Sequence, residues 1–187
     1  MTLPTFDTPR LCLRPFTLAD ADAVTAAAGV REVAATTLYV PHPYPPGAAA
    51  EWIATHADAF AQRSELTLAV VDRASGALRG AINLVLTPMF DRGEIGYWMA
   101  REGWGQGFAT EAATAIVGFG FTALGLVRIV GHCMAHNPGS ARVLEKVGMQ
   151  REGLLRQHVK RDGRHIDVLA YGLLRAEWRG PAPTVRA

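Results

Sequence analysis

The stretch EGWGQGFATEAATAIVGFGF, Glu102 to Phe121, sets three glycines at alternate positions, Gly103, Gly105 and Gly107, directly before a helical segment. Glycine loses more backbone freedom on ordering than any other residue and weakens helices and strands alike. A run of them at the threshold of a helix marks a place where the backbone must turn sharply or come close to something. A helix N-terminus offers unpaired N–H groups and about half a positive charge. Glycines in front of it let a bulky anion approach without meeting a Cβ, and the two together make a phosphate site. The other reading is a turn with a structural duty only.

The neighbours of this loop restrict the fold. Upstream, ELTLAVVD and LRGAINLVL are apolar runs joined by RASG, with Ser75-Gly76 as the turn, and GEIGYWMA is a third strand beside them, interrupted by Gly96. Downstream, a helix runs to about Leu124 with Ala112, Ala115, Ile116 and Phe119 on one side. VRIVGHCMAH is a further strand, and NPGSARVLEKVG a short helix with Gly148 at its C′ position. MQREGLLRQHVK and HIDVLAYGLLRAEW are two strands turned by RDGR. Near the start, RLCLRPF alternates as a strand, Thr17 and Asp20 resemble a capping box, LYVPHPYPP is loop, and Gly47 to Gln62 reads as a helix. The tail RGPAPTVRA, from about residue 180, is expected to be flexible. The order βααβββαβαββ gives an α/β (α+β) fold. One domain over 1–187 carries a mixed, mostly antiparallel sheet of about seven strands and about four helices.

Two familiar phosphate motifs fail on the glycine loop. Walker A ends in Gly-Lys-Ser/Thr, whereas Gly107 is followed by Phe108. The dinucleotide fingerprint Gly-x-Gly-x-x-Gly/Ala ends here on Phe108 or Thr110 and should follow the first strand of a parallel βαβ unit. A net charge of +2, from 19 basic and 17 acidic residues, argues against direct nucleic-acid binding. The two cysteines, Cys12 and Cys133, have no metal-ligand spacing, no metal is expected, and Cys12 reads as a small core residue. The start MTLPTFDTPRL lacks a signal-peptide apolar core, and no apolar run reaches the ~20 residues of a membrane span. The expectation is a cytoplasmic protein with no membrane partner.

A third pattern fits. Trp104-Gly105-Gln106-Gly107-Phe108-Ala109 resembles the Arg/Gln-x-x-Gly-x-Gly/Ala loop of the GNAT acyltransferases, with Trp in the first place as in their ribosomal-protein N-acetyltransferase (RimJ/RimL-type) branch. TPRLCLRPF, GEIGYWM, NPGSARVLEKVGM and EGLLRQHVKRDGRHIDVLAYGLLRAEW resemble further pieces of that branch in the same order, so the likeness covers nearly the whole chain. It implies acetyl-CoA as co-substrate, held at its pyrophosphate by the loop from Trp104 to Thr110. It also implies a fourth strand splayed from the fifth, whose edge at Trp98 and Met99 pairs with the pantetheine, and it admits a homodimer.

Acetyl transfer from a thioester to an amine needs little chemical help, because a thiol of pKa ~8.5, judged from cysteine, leaves readily. The amine must lose a proton, the carbonyl oxygen needs a donor, and the reactants must be aligned. The family-type oxyanion donor is a backbone N–H near Trp98. Glu94, opening the fourth strand, is the first candidate base, directly or through water; its other reading is a solvated strand-end carboxylate. His132 on the fifth strand faces the same cleft if the register permits and is otherwise a packed histidine. His136 and His42 rank below it, and Glu111 serves the helix dipole. Asn137 and Ser140 are helix caps by residue type. By resemblance Asn137 also bonds the pantetheine and Ser140 lies near the sulfur. Many such enzymes carry a tyrosine acid on this helix, and this one has none.

The acceptor is the α-amine of a protein N-terminus, as the branch implies, or a small amine. TTLYVPHPYPP and the helix after it line its side, where Tyr39, His42, Tyr44 and Trp52 give an aromatic, weakly polar character with no acidic cluster for a polyamine or aminoglycoside. The competing readings are an acyl-CoA-binding sensor that keeps the fold without catalysis and an NAD-dependent enzyme, which the failed fingerprint disfavours.

Overall fold

Alternation and tight turns dictate the centre of the sheet. Strand β3, Glu65–Asp72, turns through Ser75-Gly76 into β4, Leu78–Thr87, and β4 turns into β5, Arg92–Met99; both pairs are antiparallel. The computed structural model describes residues 3–186. Helix α5, Phe108–Thr122, carries the chain from β5 to a parallel partner, β6, Arg128–Met134. Helix α6, Pro138–Val147, then leads into the hairpin of β7, Gln150–Arg161, and β8, Arg164–Leu174, whose second strand pairs with β6. Before β3 lie β1, Thr5–Asp7, β2, Leu11–Arg14, and four short helices: α1, Ala21–Ala28, α2, Arg31–Ala35, α3, Ala48–Ala54, and α4, His56–Ala61. With β9, Thr184–Arg186, the sheet has nine strands in the order β7-β8-β6-β5-β4-β3-β2-β1-β9.

Four features differ from the sequence expectation, the first being that β1 is an added strand beside β2, which together with β9 makes nine strands rather than about seven. The span Gly47 to Gln62 breaks at Thr55, whose hydroxyl donates to Trp52 O at 2.7 Å while its N–H tightens onto the same carbonyl at 3.2 Å. Helix α2 is an added element before the proline-rich loop. The tail expected to be flexible instead crosses α5 and pairs with β1 as β9. Gly118 admits that crossing, since a Cβ there would meet Pro181 O at 2.7 Å.

Side-chain parity sorts the core into two layers. Leu68, Ile82, Leu84, Ile95, Ile116 and Ile129 pack between the sheet and α5. Val24, Ala28, Val33, Ile53, Ala81 and Trp98 pack on the other face beneath α1 to α3. Ile82, Ile116 and Ile129 are fully buried, and each such side chain contributes about 1.5–3 kcal/mol by leaving water. No helix among the described residues is long and apolar enough to cross a membrane.

Candidate functional site

The parallel pairing of β5 with β6 runs only from Arg92–Arg128 to Ile95–Gly131. Beyond Ile95 the strands part, and the free halves, Gly96–Met99 and His132–Met134, bound a wedge. Two cavities, of about 580 and 430 Å³, open on either side of it. Tyr97, Trp98 and Ser140 line both, so the cavities meet at the wedge.

The smaller cavity contains the glycine loop. Gly105 and Gly107 have φ of +75° and +82°, the left-handed region that favours glycine, and Gly107 is the N-cap of α5. Glu111 N–H is the first to reach a helical acceptor, Gly107 O at 3.0 Å, so the amides of Phe108, Ala109 and Thr110 have none within the helix. The loop is held from outside. Arg10 donates from Nη1 to Gln106 O at 2.8 Å and from Nε to Glu111 at 2.7 Å, and Thr8 donates to Glu111 at 2.6 Å. Burial alone would raise the Glu111 carboxyl, but the hydrogen bonds from Thr8 and Arg10 outweigh it and lower its pKa. Glu111 therefore does more than meet a dipole: it ties the first turn of α5 to the β1–β2 turn.

Trp104 Nε1 donates to Met99 O at 2.8 Å, beneath the Arg101 guanidinium, 4.8 Å above its ring, so the indole seals the loop against the end of β5. Gln106 Nε2 bonds Glu102 O at 2.6 Å. Arg142 and Lys146, one turn apart on α6, line the same cavity and were not singled out by sequence. Two cations four residues apart disfavour a helix by a few tenths of a kcal/mol unless an anion lies between them.

The edge of β5 can be read from its pairing. Ala100 N–H bonds Arg79 O at 2.7 Å, and antiparallel bonding alternates, so Trp98 turns its amide toward β4 while Tyr97 and Met99 turn theirs to the open side. The free amides beside Trp98 are thus those of Tyr97 and Met99. Asn137 caps α6, accepting from Ser140 N at 3.1 Å. Sequence inspection finds no tyrosine on α6, but the structure delivers one from β5. Tyr97 Oη lies 2.7 Å from Ser140 Oγ. Burial pushes the Tyr97 hydroxyl above its ordinary range, so it stays protonated. The 43 residues separating the pair hid it from any local pattern.

The larger cavity rises over the other face of the sheet. The register lays its floor in rows: Glu65, Val85 and Glu94, then Thr67, Asn83 and Gly96 with His132 following Gly131. Glu94 and His132, separate candidates from sequence, meet at 2.8 Å between Oε1 and Nδ1. That bond lowers the Glu94 pKa against the effect of burial and raises that of His132. With the carboxylate accepting from Nδ1–H, Nε2 is the free acceptor of the neutral ring. Tyr39, Tyr44 and Trp52 line the walls, as expected. His42 lies aside, its Nδ1 3.0 Å from Gly29 O, and His136 is not among the lining residues of either cavity. Both cysteines are free thiols, Cys133 buried and Cys12 half-buried.

The acceptor cavity holds one acidic side chain besides Glu94 that the sequence did not single out. Glu65 lines the floor, accepting from Thr67 Oγ1 at 2.7 Å and Asn83 Nδ2 at 2.6 Å. It stands at the head of β3, outside the proline-rich stretch from which the acceptor side was read.

Comparisons with known proteins agree with this geometry. Residues 10–150 match the family described as an acetyltransferase (GNAT) domain. The uncharacterized N-acetyltransferase YoaA of Bacillus subtilis is 34% identical over 174 residues, covering 92% of this chain and 97% of that protein. The uncharacterized N-acetyltransferase p20 of Bacillus licheniformis is 44% identical over 89 residues, and the aligned part is about half of each chain, 48% and 50%. Among solved structures, the GNAT-family acetyltransferase from Bacillus anthracis superimposes with a TM-score of 0.83 at 25% identity, over 92% of this chain and 99% of that one.

Proposed function

Because the chain belongs to the GNAT acetyltransferase family, we propose that it moves an acetyl group from acetyl-CoA to a primary amine by direct attack within a ternary complex. The observation that carries this reading is the meeting of two differently built cavities at one wedge, an anion-suited one under α5 and a base-bearing one over the sheet.

On the donor side, the amides at the start of α5 fit a diphosphate, with Gly105 and Gly107 leaving the approach clear and Arg142 and Lys146 adding positive charge. Tyr97 and Met99 offer strand-edge amides to the pantetheine arm and the thioester carbonyl, and Asn137 reaches the same arm. A preorganised amide at a developing oxyanion is worth roughly 2.7–4 kcal/mol. On the acceptor side, His132 takes the proton at Nε2 while Glu94 fixes its tautomer and steadies the imidazolium. Glu94, its pKa lowered, is the poorer base of the two. The Tyr97 and Ser140 hydroxyls share one hydrogen bond, and when Tyr97 is its donor the Ser140 proton is free for the departing sulfur. Alignment of the two reactants supplies about 7–11 kcal/mol.

The acceptor is the α-amine of a protein N-terminus or a small amine. The first follows the likeness of Trp104–Ala109 to the RimJ/RimL-type branch, and the aromatic walls accommodate either. A cytoplasmic location accords with both acceptors. The test is release of free thiol from acetyl-CoA in the presence of peptides with varied N-termini and of small amines. Amine-dependent release with a mass gain of one acetyl group on the acceptor supports the proposal. Tight binding of acetyl-CoA with no turnover on any amine replaces it with a non-catalytic sensor.

A further inference from the structure

Glu65 is a carboxylate inside the acceptor cavity with no cation to balance it. Among the described residues, no lysine or arginine lines that cavity, and no ion pair involves Glu65. Its ionisable neighbour His56 gives no compensation, because burial pulls that imidazole down to about 4 against the opposing field of Glu65. The other cavity carboxylate, Glu94, is already paired with His132. Glu65 is held in place through one oxygen, Oε1, by Thr67 and Asn83, and those two donors are neutral. Its second oxygen has no protein donor among the described residues. A carboxylate that is fixed, uncompensated and half removed from water is a strong attractor for a cation, and the cavity walls at Tyr39, Tyr44 and Trp52 add aromatic faces that favour one.

The register fixes where that cation sits. Glu65 pairs with Val85 and Val85 with Glu94, so the two carboxylates lie on one line across the sheet and on the same face. They are two strand spacings apart, roughly 9–10 Å between Cα atoms. Resting on the acetyl-transfer reading above, we infer that Glu65 selects acceptors bearing a second cationic group. The reacting amine lies at the Glu94–His132 pair, and the other charge lies two strands away. A diamine of suitable length and a peptide with a lysine next to its N-terminus present the same chemistry.

The experiment compares n-pentylamine with cadaverine, which is the same chain with a second amine, and the peptide Ala-Ala with Ala-Lys. Binding to the protein saturated with CoA is followed by the fluorescence of the cavity tryptophans, and KM by thiol release from acetyl-CoA. In the wild type the second cation should lower Kd and KM at least tenfold in one or both pairs; the pair that responds identifies the source. Glu65→Gln keeps an oxygen for Thr67 and Asn83, and should erase that preference while leaving the values for pentylamine and Ala-Ala within about twofold and the fold retained by circular dichroism. A preference that survives Glu65→Gln, or a wild type with no preference for either dication, overturns the inference. Thiol release with the monoamines in either case leaves the acetyl-transfer reading standing.

Discussion

Replacing Gly96 with alanine tests how the floor of the acceptor cavity is assembled. Gly96 lies opposite Asn83, and a methyl group on its Cα would run into Asn83 Oδ1. The backbone there suits any residue, so the only obstacle is the amide above it. To admit the methyl, Asn83 must swing away and give up its bond to Glu65 Oε1, now 2.6 Å. A hydrogen bond to a charged group is worth about 1.5–3 kcal/mol. Alanine in a strand recovers about 0.5–1 kcal/mol relative to glycine. The net cost is roughly 0.5–2.5 kcal/mol, and for a chain of this size that lowers Tm by about 1–10 °C. In an Asn83→Ala background the obstacle is gone, and Gly96→Ala should become neutral or stabilising. Scanning calorimetry on the wild type, both single variants and the double variant gives the coupling, expected at about 1.5–3 kcal/mol. Additive shifts in Tm would refute the reasoning, because they would mean that Asn83 is not seated over Gly96.

Three further outcomes are expected. Gly107→Val places a β-branched side chain at φ +82°, with its Cβ 3.4 Å from Arg10 Nη2; acetyl-CoA affinity by calorimetry should fall at least tenfold, about 1.4 kcal/mol, while circular dichroism shows the fold retained. For His132, whose pKa is raised, the rate should climb with pH through a value above 6.5, and Glu94→Gln should move that limb to lower pH; a limb that stays in place assigns the proton elsewhere. The sign for stability follows from the same pair. The raised His132 contributes below 6.5 and fades as pH rises through its folded pKa, and the lowered Glu94 contributes above 4.5 and fades as pH falls through its own, so the difference in Tm between wild type and Glu94→Gln should peak between 4.5 and 6.5. Tyr97→Phe and Ser140→Ala should each lower kcat on the order of five- to tenfold, and the double variant no more than the larger single loss, because both act through one hydroxyl pair; equal losses across thioesters of differing thiol pKa would separate that pair from the sulfur.

What was legible in the sequence was local. The β3–β4 and β7–β8 hairpins, the glycine loop and the cap at Asn137 are each set by turn residues and periodicity within a dozen positions, and all stand where the chain pattern puts them. What was not legible depends on distant partners. Strand β9 is three residues long and exists because it pairs with β1 across most of the chain, while β1, also three residues, lies between it and β2. Glu111 reads as a dipole residue until Thr8 and Arg10, 103 and 101 positions away, are brought to it. Glu94 and His132 look like rival bases until parallel pairing makes them one unit. Tyr97 escaped notice because alternation turns it away from Glu94 and toward α6, where only the fold reveals Ser140 waiting.

Strand β5 divides its labour by parity. Glu94, Gly96 and Trp98 look toward the acceptor layer, while Ile95, Tyr97 and Met99 look toward α5. Substitutions at Glu94 and Gly96, and at their neighbours across β3 and β4, therefore alter one chamber without redrawing the glycine loop, whereas Trp98 lines both cavities. A lineage could exchange one amine for another in a few steps while its use of the thioester stayed constant, so acceptor preference should drift quickly among relatives and donor preference slowly. The same insulation makes Glu65, Asn83, Val85, Tyr39 and Tyr44 a compact library for directed evolution, with acetyl-CoA affinity serving as the built-in check that each variant is still folded around its donor.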